Sequence, residues 1–163
     1  MWKQILPGLR IILFMTVLLG VAYPLAITGT CQILFPRQAN GSLITAGGRV
    51  IGSELIGQSF SRPEYFRPRP SAAGNGYDAA SSGGSNYGPT NQKLVERVRA
   101  SLEGFRRENP DYQGPIPADL LATSASGLDP HISPASALAQ AARVAKARGV
   151  PAEQVTGLIA QFT

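Results

Sequence analysis

Ile11–Phe35 reads IILFMTVLLGVAYPLAITGTCQILF, 25 residues without a charged side chain. As a helix this run rises roughly 37 Å, more than the about 30 Å of a bilayer's hydrocarbon core. It sets the fold class expected for the chain: a single N-terminal transmembrane helix over about 11–35, within a segment 1–36, followed by one α+β soluble domain over 37–163. Two other readings compete. A cleaved signal peptide would use Lys3 and Arg10 as its basic end, but its apolar part is about half this length and ends in a small-x-small site. A lipoprotein signal would acylate Cys31, yet Thr30 stands where that pattern wants a still smaller residue. The length favours a retained anchor.

Pro24 sits in the middle of the run. Proline removes one backbone hydrogen bond, so a kink is expected there. Gly20, Ala22, Ala26, Gly29 and Thr30 are small. Ala22, Ala26 and Thr30 are spaced by four and share a face, and small side chains let a neighbouring helix approach closely. Gly20, Ala22, Ala26 and Thr30 are therefore partner-interface candidates. Orientation is only weakly marked. Lys3 and Arg10 precede the run while Arg37 and Arg49 follow it, a slight lean toward a cytoplasmic N-terminus.

The rest of the chain carries 13 basic and 10 acidic residues, a net charge of +3. That excess is too mild to argue for nucleic acid. The one cysteine, Cys31, lies in the apolar run, so no disulfide is available to the soluble part.

In the soluble part, SLITAGGRVIG (Ser42–Gly52) places two apolar pairs around Gly47-Gly48, the pattern of a tight β-hairpin. Prolines 63, 68 and 70 keep SRPEYFRPRPS extended. GNGYDAASSGGSNYGPT (Gly74–Thr90) holds five glycines and three serines. A loop this long is either functional or disordered. Three helices follow. The spacing of Leu94, Val95, Val98, Leu102 and Phe105 predicts one over 91–109, with Thr90 or Asn91 as N-cap and Glu103 in reach of Arg106 or Arg107. Pro117 opens a short turn, PADLL. Ser133-Pro134 reads as N-cap and N1 of a helix that runs to Gly149, with a buried face of alanines, Leu138 and Val144. A last helix opens at Pro151 and aligns Val155, Leu158, Ile159 and Phe162.

The chain contains no G-x-x-x-x-G-K-[ST] phosphate loop, no D-K-T-G phosphorylation motif and no T-V-G-Y-G potassium filter. One histidine and one intramembrane cysteine cannot build a zinc site, so no metal is expected. His131 in SGLDPHIS (Ser126–Ser133) has Asp129 two residues away, but no G-x-S-x-G presents a nucleophile. A membrane-anchored hydrolase is a remote reading. In the better one, Asp129 caps, Pro130 fixes φ, and His131 donates locally or packs under the loop. Its replacement then affects stability or assembly. Ser82, Gly83, Gly84, Ser85 and Asn86 could form an anion-binding concavity from successive amides. Arg62, Arg67 and Arg69 could neutralise an acidic partner.

Four stretches, LIGQSF (Leu55–Phe60), YFRPRPSA (Tyr65–Ala72), SGGSNYGPTN (Ser82–Asn91) and SGLDPHISPASALAQAARVA (Ser126–Ala145), together with the single span, give the chain its likeness. It resembles the C subunit of the bacterial Kdp-type potassium-transporting ATPase over nearly its whole length. Arg67 stands where the family often has His, and Tyr87 where it often has Leu. The resemblance implies a non-hydrolysing accessory subunit of an inner-membrane pump. Its partners are a subunit that hydrolyses ATP through a phospho-aspartate and a channel-like subunit that selects potassium. It further implies a role in assembly and stability, and as a catalytic chaperone that raises the ATP affinity of the hydrolysing subunit. The alternative is a purely structural subunit over the external potassium entrance, without nucleotide contact. Ser82–Asn86 also resembles a serine-glycine-glycine element of transporter ATPases, making ATP the expected cofactor there. Gln58, Tyr65, Phe66, Arg69, Asp129 and His131 lie in the shared stretches and are expected at the partner interface. A soluble domain following a signal-anchor is expected on the periplasmic side.

Overall fold

The computed structural model describes the backbone of residues 2–163 and the side chains from Lys3 onward. The chain forms two compact units, one ending at Glu54 and one spanning Leu55–Thr163. The division falls after the hairpin.

The first unit opens with α1 (Trp2–Val17), a π-helical turn (Leu18–Ala22) and α2 (Tyr23–Leu34). These run without interruption. Lys3–Leu34 is a 32-residue helix long and apolar enough to cross a membrane, with none of its most apolar stretch buried. The disturbance expected at Pro24 takes the form of the π turn. The Tyr23 N–H donates to the Leu18 carbonyl, five residues back. Widening the helix by one residue just before Pro24 accommodates the missing donor and the bulk of its ring. Thr30 donates its hydroxyl to the Ala26 carbonyl at 2.8 Å, so these two small residues share a face.

After α3 (Pro36–Ala39), β1 (Leu43–Ala46) pairs antiparallel with β2 (Arg49–Ser53). Gly47 and Gly48 have φ of 57° and 77°, as a two-residue type I′ turn requires. The register steps from Ile44–Gly52 to Thr45–Val50, so Ile51 sits at a bulge as the extra residue of β2.

The second unit is built on helices and extended chain. Asn91 caps α4 (Gln92–Glu108) by accepting from the Lys93 N–H at 2.9 Å. Glu103 makes no ion pair among the described residues; the carboxylate at the helix end, Glu108, pairs with Arg67 instead. Ser133 caps α5 (Pro134–Arg148), and Gly149 ends it at φ 66°. This helix is the centre of the unit. Its Ala139 packs with Phe105 and Leu120, and its Ala141, Val144 and Ala145 pack with Val155 of α6 (Ala152–Gln161). Alanine permits such close approach from both sides. Leu138 is the exception to the expected face: it is 50% exposed, because Ser136 and Gln140 occupy the buried arc. On α6 only Val155 and Ile159 join the core, and Phe162 is 83% exposed.

A polar relay locks the start of α5. Ser133 Oγ accepts from the Ser136 N–H and donates to Ser136 Oγ, which donates to Asp119 Oδ1 at 2.7 Å. The Ser133 N–H donates to the other carboxylate oxygen at 3.1 Å. Burial raises the Asp119 pKa, but the bonds from Ser136 and Ser133 outweigh it and hold the carboxyl below its ordinary value. A depressed folded-state value stabilises the fold above the unfolded pKa, about 3.9, and that contribution is lost as pH falls through the folded value. Asp119→Ala is therefore expected to cost about 1 kcal/mol at neutral pH. The difference from the parent protein should close below about pH 4, as read from denaturation midpoints across pH. A deficit that persists unchanged in acid would show that the carboxylate's charge is not what stabilises the cap.

Candidate functional site

The shared stretches from distant parts of the chain meet at one place in the second unit. Extended segment 65–73 carries Arg69, Ser71 and Ala73. Gln140 of α5 holds this segment as a neighbouring strand would: its Oε1 accepts from the Arg67 N–H at 2.7 Å, and its Nε2 donates to the Arg67 carbonyl at 3.1 Å. Arg143 adds bonds to Gln140 Oε1, Asn109 Oδ1 and the Tyr65 carbonyl. Burial lowers the Arg143 pKa below the ordinary arginine range; Glu108 opposes this and Arg67 adds to it.

Arg69 is the hub. Its NH1 donates to Asp129 Oδ2 at 3.1 Å and its NH2 to the Thr123 carbonyl at 3.3 Å. Ser71 Oγ donates to the Gly127 carbonyl at 2.6 Å and accepts from the Ala73 and Tyr77 N–H groups. The Tyr77 hydroxyl donates to the Arg69 carbonyl. Burial, and after it the negative Asp129, push the Tyr77 pKa up to about 12, against the opposing effect of Arg69. Its phenol therefore stays protonated as a donor at physiological pH.

The Gly/Ser loop closes onto the same segment. The Gly83 N–H and the Ser82 hydroxyl both donate to the Ser126 carbonyl, at 2.9 and 3.0 Å. Ser85 Oγ lies 3.2 Å from Thr123 Oγ1. A side chain at Gly84 would come within 2.9 Å of the Ala125 carbonyl. Two of the donors expected to face an anion thus face the protein's own backbone. Asn86 holds a left-handed φ of 52° and is exposed.

Other expected site residues are spread differently. Gly57 donates its N–H to the Leu128 carbonyl at 2.8 Å, which sets the exposed Gln58 beside this junction. The guanidiniums of Arg62 and Arg148 stand 5.5 and 5.6 Å from the Tyr65 ring. Phe66 packs inward on the α5–α6 core. Asp129 accepts from the His131 N–H at 3.0 Å, as a local cap should. The His131 side chain does not pack under the loop: it is 87% exposed, with Nδ1 3.7 Å from Asp129. The chain segment turns outward after the Asp129-Pro130 step, so its replacement should matter little for stability. A cavity of about 550 Å³ opens at the junction, lined by Leu55, Ile56, Arg69, Ser124, Leu128 and Asp129 among others.

Reading the sequence alone missed Gln140, Ser71 and Gly127. All three stand inside the shared stretches. Gln140 carried no further signal of its own, because a glutamine among alanines looks like a solvated helix position.

The family model described as the c chain of the K+-transporting ATPase, KdpC, matches residues 5–163. The chain belongs to the KdpC family. Among relatives, the potassium-transporting ATPase KdpC subunit of Myxococcus xanthus is 59% identical over 160 residues, covering 98% of this chain and 76% of that protein. That of Rhodospirillum rubrum is 55% identical over 163 residues, covering 100% and 84%. That of Caulobacter vibrioides is 58% identical over 160 residues, covering 98% and 80%. In this KdpC chain the four stretches that carry the resemblance are thus the walls of one junction, held by Arg69, Ser71 and the backbone of 123–129.

Proposed function

We propose that this KdpC chain is the non-hydrolysing accessory subunit of an ATP-driven potassium uptake complex of the bacterial inner membrane. Lys3–Leu34 crosses the membrane with the N-terminus cytoplasmic, and the unit from Leu55 onward is periplasmic. Its partners are the channel-like potassium-binding subunit and the ATP-hydrolysing subunit. The junction around Arg69 is a preformed docking surface, and the span's small face at Gly20, Ala22, Ala26 and Thr30 packs on partner helices. A rise in the hydrolysing subunit's ATP affinity is then transmitted through assembly.

The observation that carries this reading is the inward use of the loop. Ser82 and Gly83 donate to Ser126, which builds a rigid surface and takes two donors away from any ligand. Direct binding of ATP by Ser82–Asn86 is the weaker reading for that reason.

Arg69→Ala is expected to lower recovery of the partner subunits with the affinity-purified chain roughly tenfold, corresponding to about 1.4 kcal/mol. The complex that does assemble should keep its KM for ATP. Normal assembly together with a raised KM in Arg69→Ala or Ser82→Ala would favour nucleotide contact instead. In a Cys31→Ser background, a cysteine at the exposed Ala100 should react with a membrane-impermeant thiol reagent in intact cells. Protection until lysis would place the unit in the cytoplasm.

A further inference from the structure

The hairpin Leu43–Ser53 has no core. Leu43, Ile44, Val50 and Ile51 are between 41% and 59% exposed. Leu43 pairs with Ser53 and Thr45 with Val50, which puts Leu43 and Val50 on one face and Ile44 on the other. A solvated antiparallel sheet alternates apolar and polar faces, and a lone two-stranded hairpin is marginal in water. A protein partner covering one face would leave the other apolar face in water. This pattern calls for an apolar medium on both sides.

The hairpin's base is tied to the end of the candidate span. The Gln32 and Asn40 side-chain amides bond to each other at 3.1 and 3.4 Å, and Asn40 also donates to the Pro36 carbonyl at 2.6 Å. Arg37 forms an ion pair with Glu54, and the Ser42 N–H donates to the Arg37 carbonyl at 2.9 Å. Ser53 Oγ closes the second strand onto the Gly41 carbonyl at 2.6 Å. The start of the first strand and the end of the second are thus tied to the short segment 36–42 that follows Leu34. Strands of four and five residues are only about 13–17 Å long, while the polar layer on each side of the hydrocarbon is about 5–8 Å deep. A two-stranded sheet suits the layer where headgroups and water can hydrogen-bond to backbone, which hydrocarbon does not do. Arg49, beside the turn, makes no ion pair among the described residues and suits anionic headgroups.

We infer that the Leu43–Ser53 hairpin lies in the interfacial layer of the bilayer beside the end of the span, with lipid against both of its faces. This rests on the reading that Lys3–Leu34 crosses the membrane. The test uses the full chain with Trp2→Phe, so that each reporter is the sole tryptophan. Val50→Trp and Leu19→Trp are reconstituted separately into vesicles of phosphatidylethanolamine and phosphatidylglycerol. The vesicles contain lipids brominated either near the carbonyls or near the chain ends. The Val50→Trp reporter should show blue-shifted emission and lose more fluorescence to shallow bromines. The Leu19→Trp reporter should lose more to deep ones. Ile51→Trp repeats the hairpin measurement, so that one misfolded variant does not decide it. A hairpin reporter that stays water-like while Leu19→Trp is quenched overturns the hairpin inference and leaves the span intact. A hairpin reporter shielded only once partner subunits are bound also overturns it. Failure of Leu19→Trp to be quenched by either lipid overturns the span and the inference together.

Discussion

Replacing Gly127 by alanine is expected to destabilise the second unit by roughly 2–5 kcal/mol. Gly127 has a left-handed φ of 68°, and a Cβ there would stand 2.7 Å from both the Ala73 nitrogen and the Gly83 carbonyl oxygen. Both neighbours are backbone, so neither can swing away as a flexible side chain would. Relief requires separating segment 123–129 from 71–73 or from the Gly/Ser loop. The Ser71–Gly127 and Ser82–Ser126 bonds are then lost with the clash. Gly149 supplies the control. It has nearly the same φ, 66°, with nothing within 4 Å of the added carbon. Gly149→Ala should therefore cost only the left-handed penalty of about 1–2 kcal/mol. Urea midpoints of the two variants in mild detergent measure the difference. Equal losses would mean that close packing at residue 127 contributes nothing, and that the junction is looser than described.

Gln140→Leu is expected to cost about 3 kcal/mol or more, although it keeps the volume and adds apolar surface. The residue is fully buried, at 0% exposure. Its amide satisfies the Arg67 N–H, the Arg67 carbonyl and the Ser136 carbonyl, and accepts from Arg143. Leucine leaves the Arg67 N–H and carbonyl without this partner in a part-buried site, and each orphaned group costs about 1–3 kcal/mol. Gln140→Glu separates the two halves of the role. Its carboxylate can still accept from Arg67 and Arg143, but it opposes the two carbonyls that the amide donates to. It should be destabilised too, and should improve as the carboxyl is protonated at low pH, whereas the leucine variant should not. A leucine variant as stable as the parent would show that segment 65–73 is held without this bridge.

The elements with local causes were legible in the residues. The apolar run, Gly47-Gly48, Asn91, Ser133-Pro134 and Gly149 each act within about five residues, so their helices, caps and turn could be placed before the fold was known. The site was legible only as a set of stretches, and its interior was not. Leu138 was expected inside and is outside, because polar Ser136 and Gln140 take the arc that hydrophobicity assigns to leucine. His131 drew attention as the one histidine but points to solvent. Arg69 looked like one arginine among several and is the one bonded to Asp129 and Thr123, residues 60 and 54 positions away.

By itself the sequence determined the anchor-sized helix, the hairpin, the three later helices and the resemblance to one family, because propensity, capping and periodicity are short-range. Only the tertiary structure decided that Ser82 and Gly83 face Ser126, that Gln140 acts as a strand partner for Arg67, and that Gly127 has room for no side chain. Those outcomes depend on which backbone donor meets which carbonyl across some 40 to 70 residues, and hydrogen bonds of that kind leave no periodic trace in the chain that makes them.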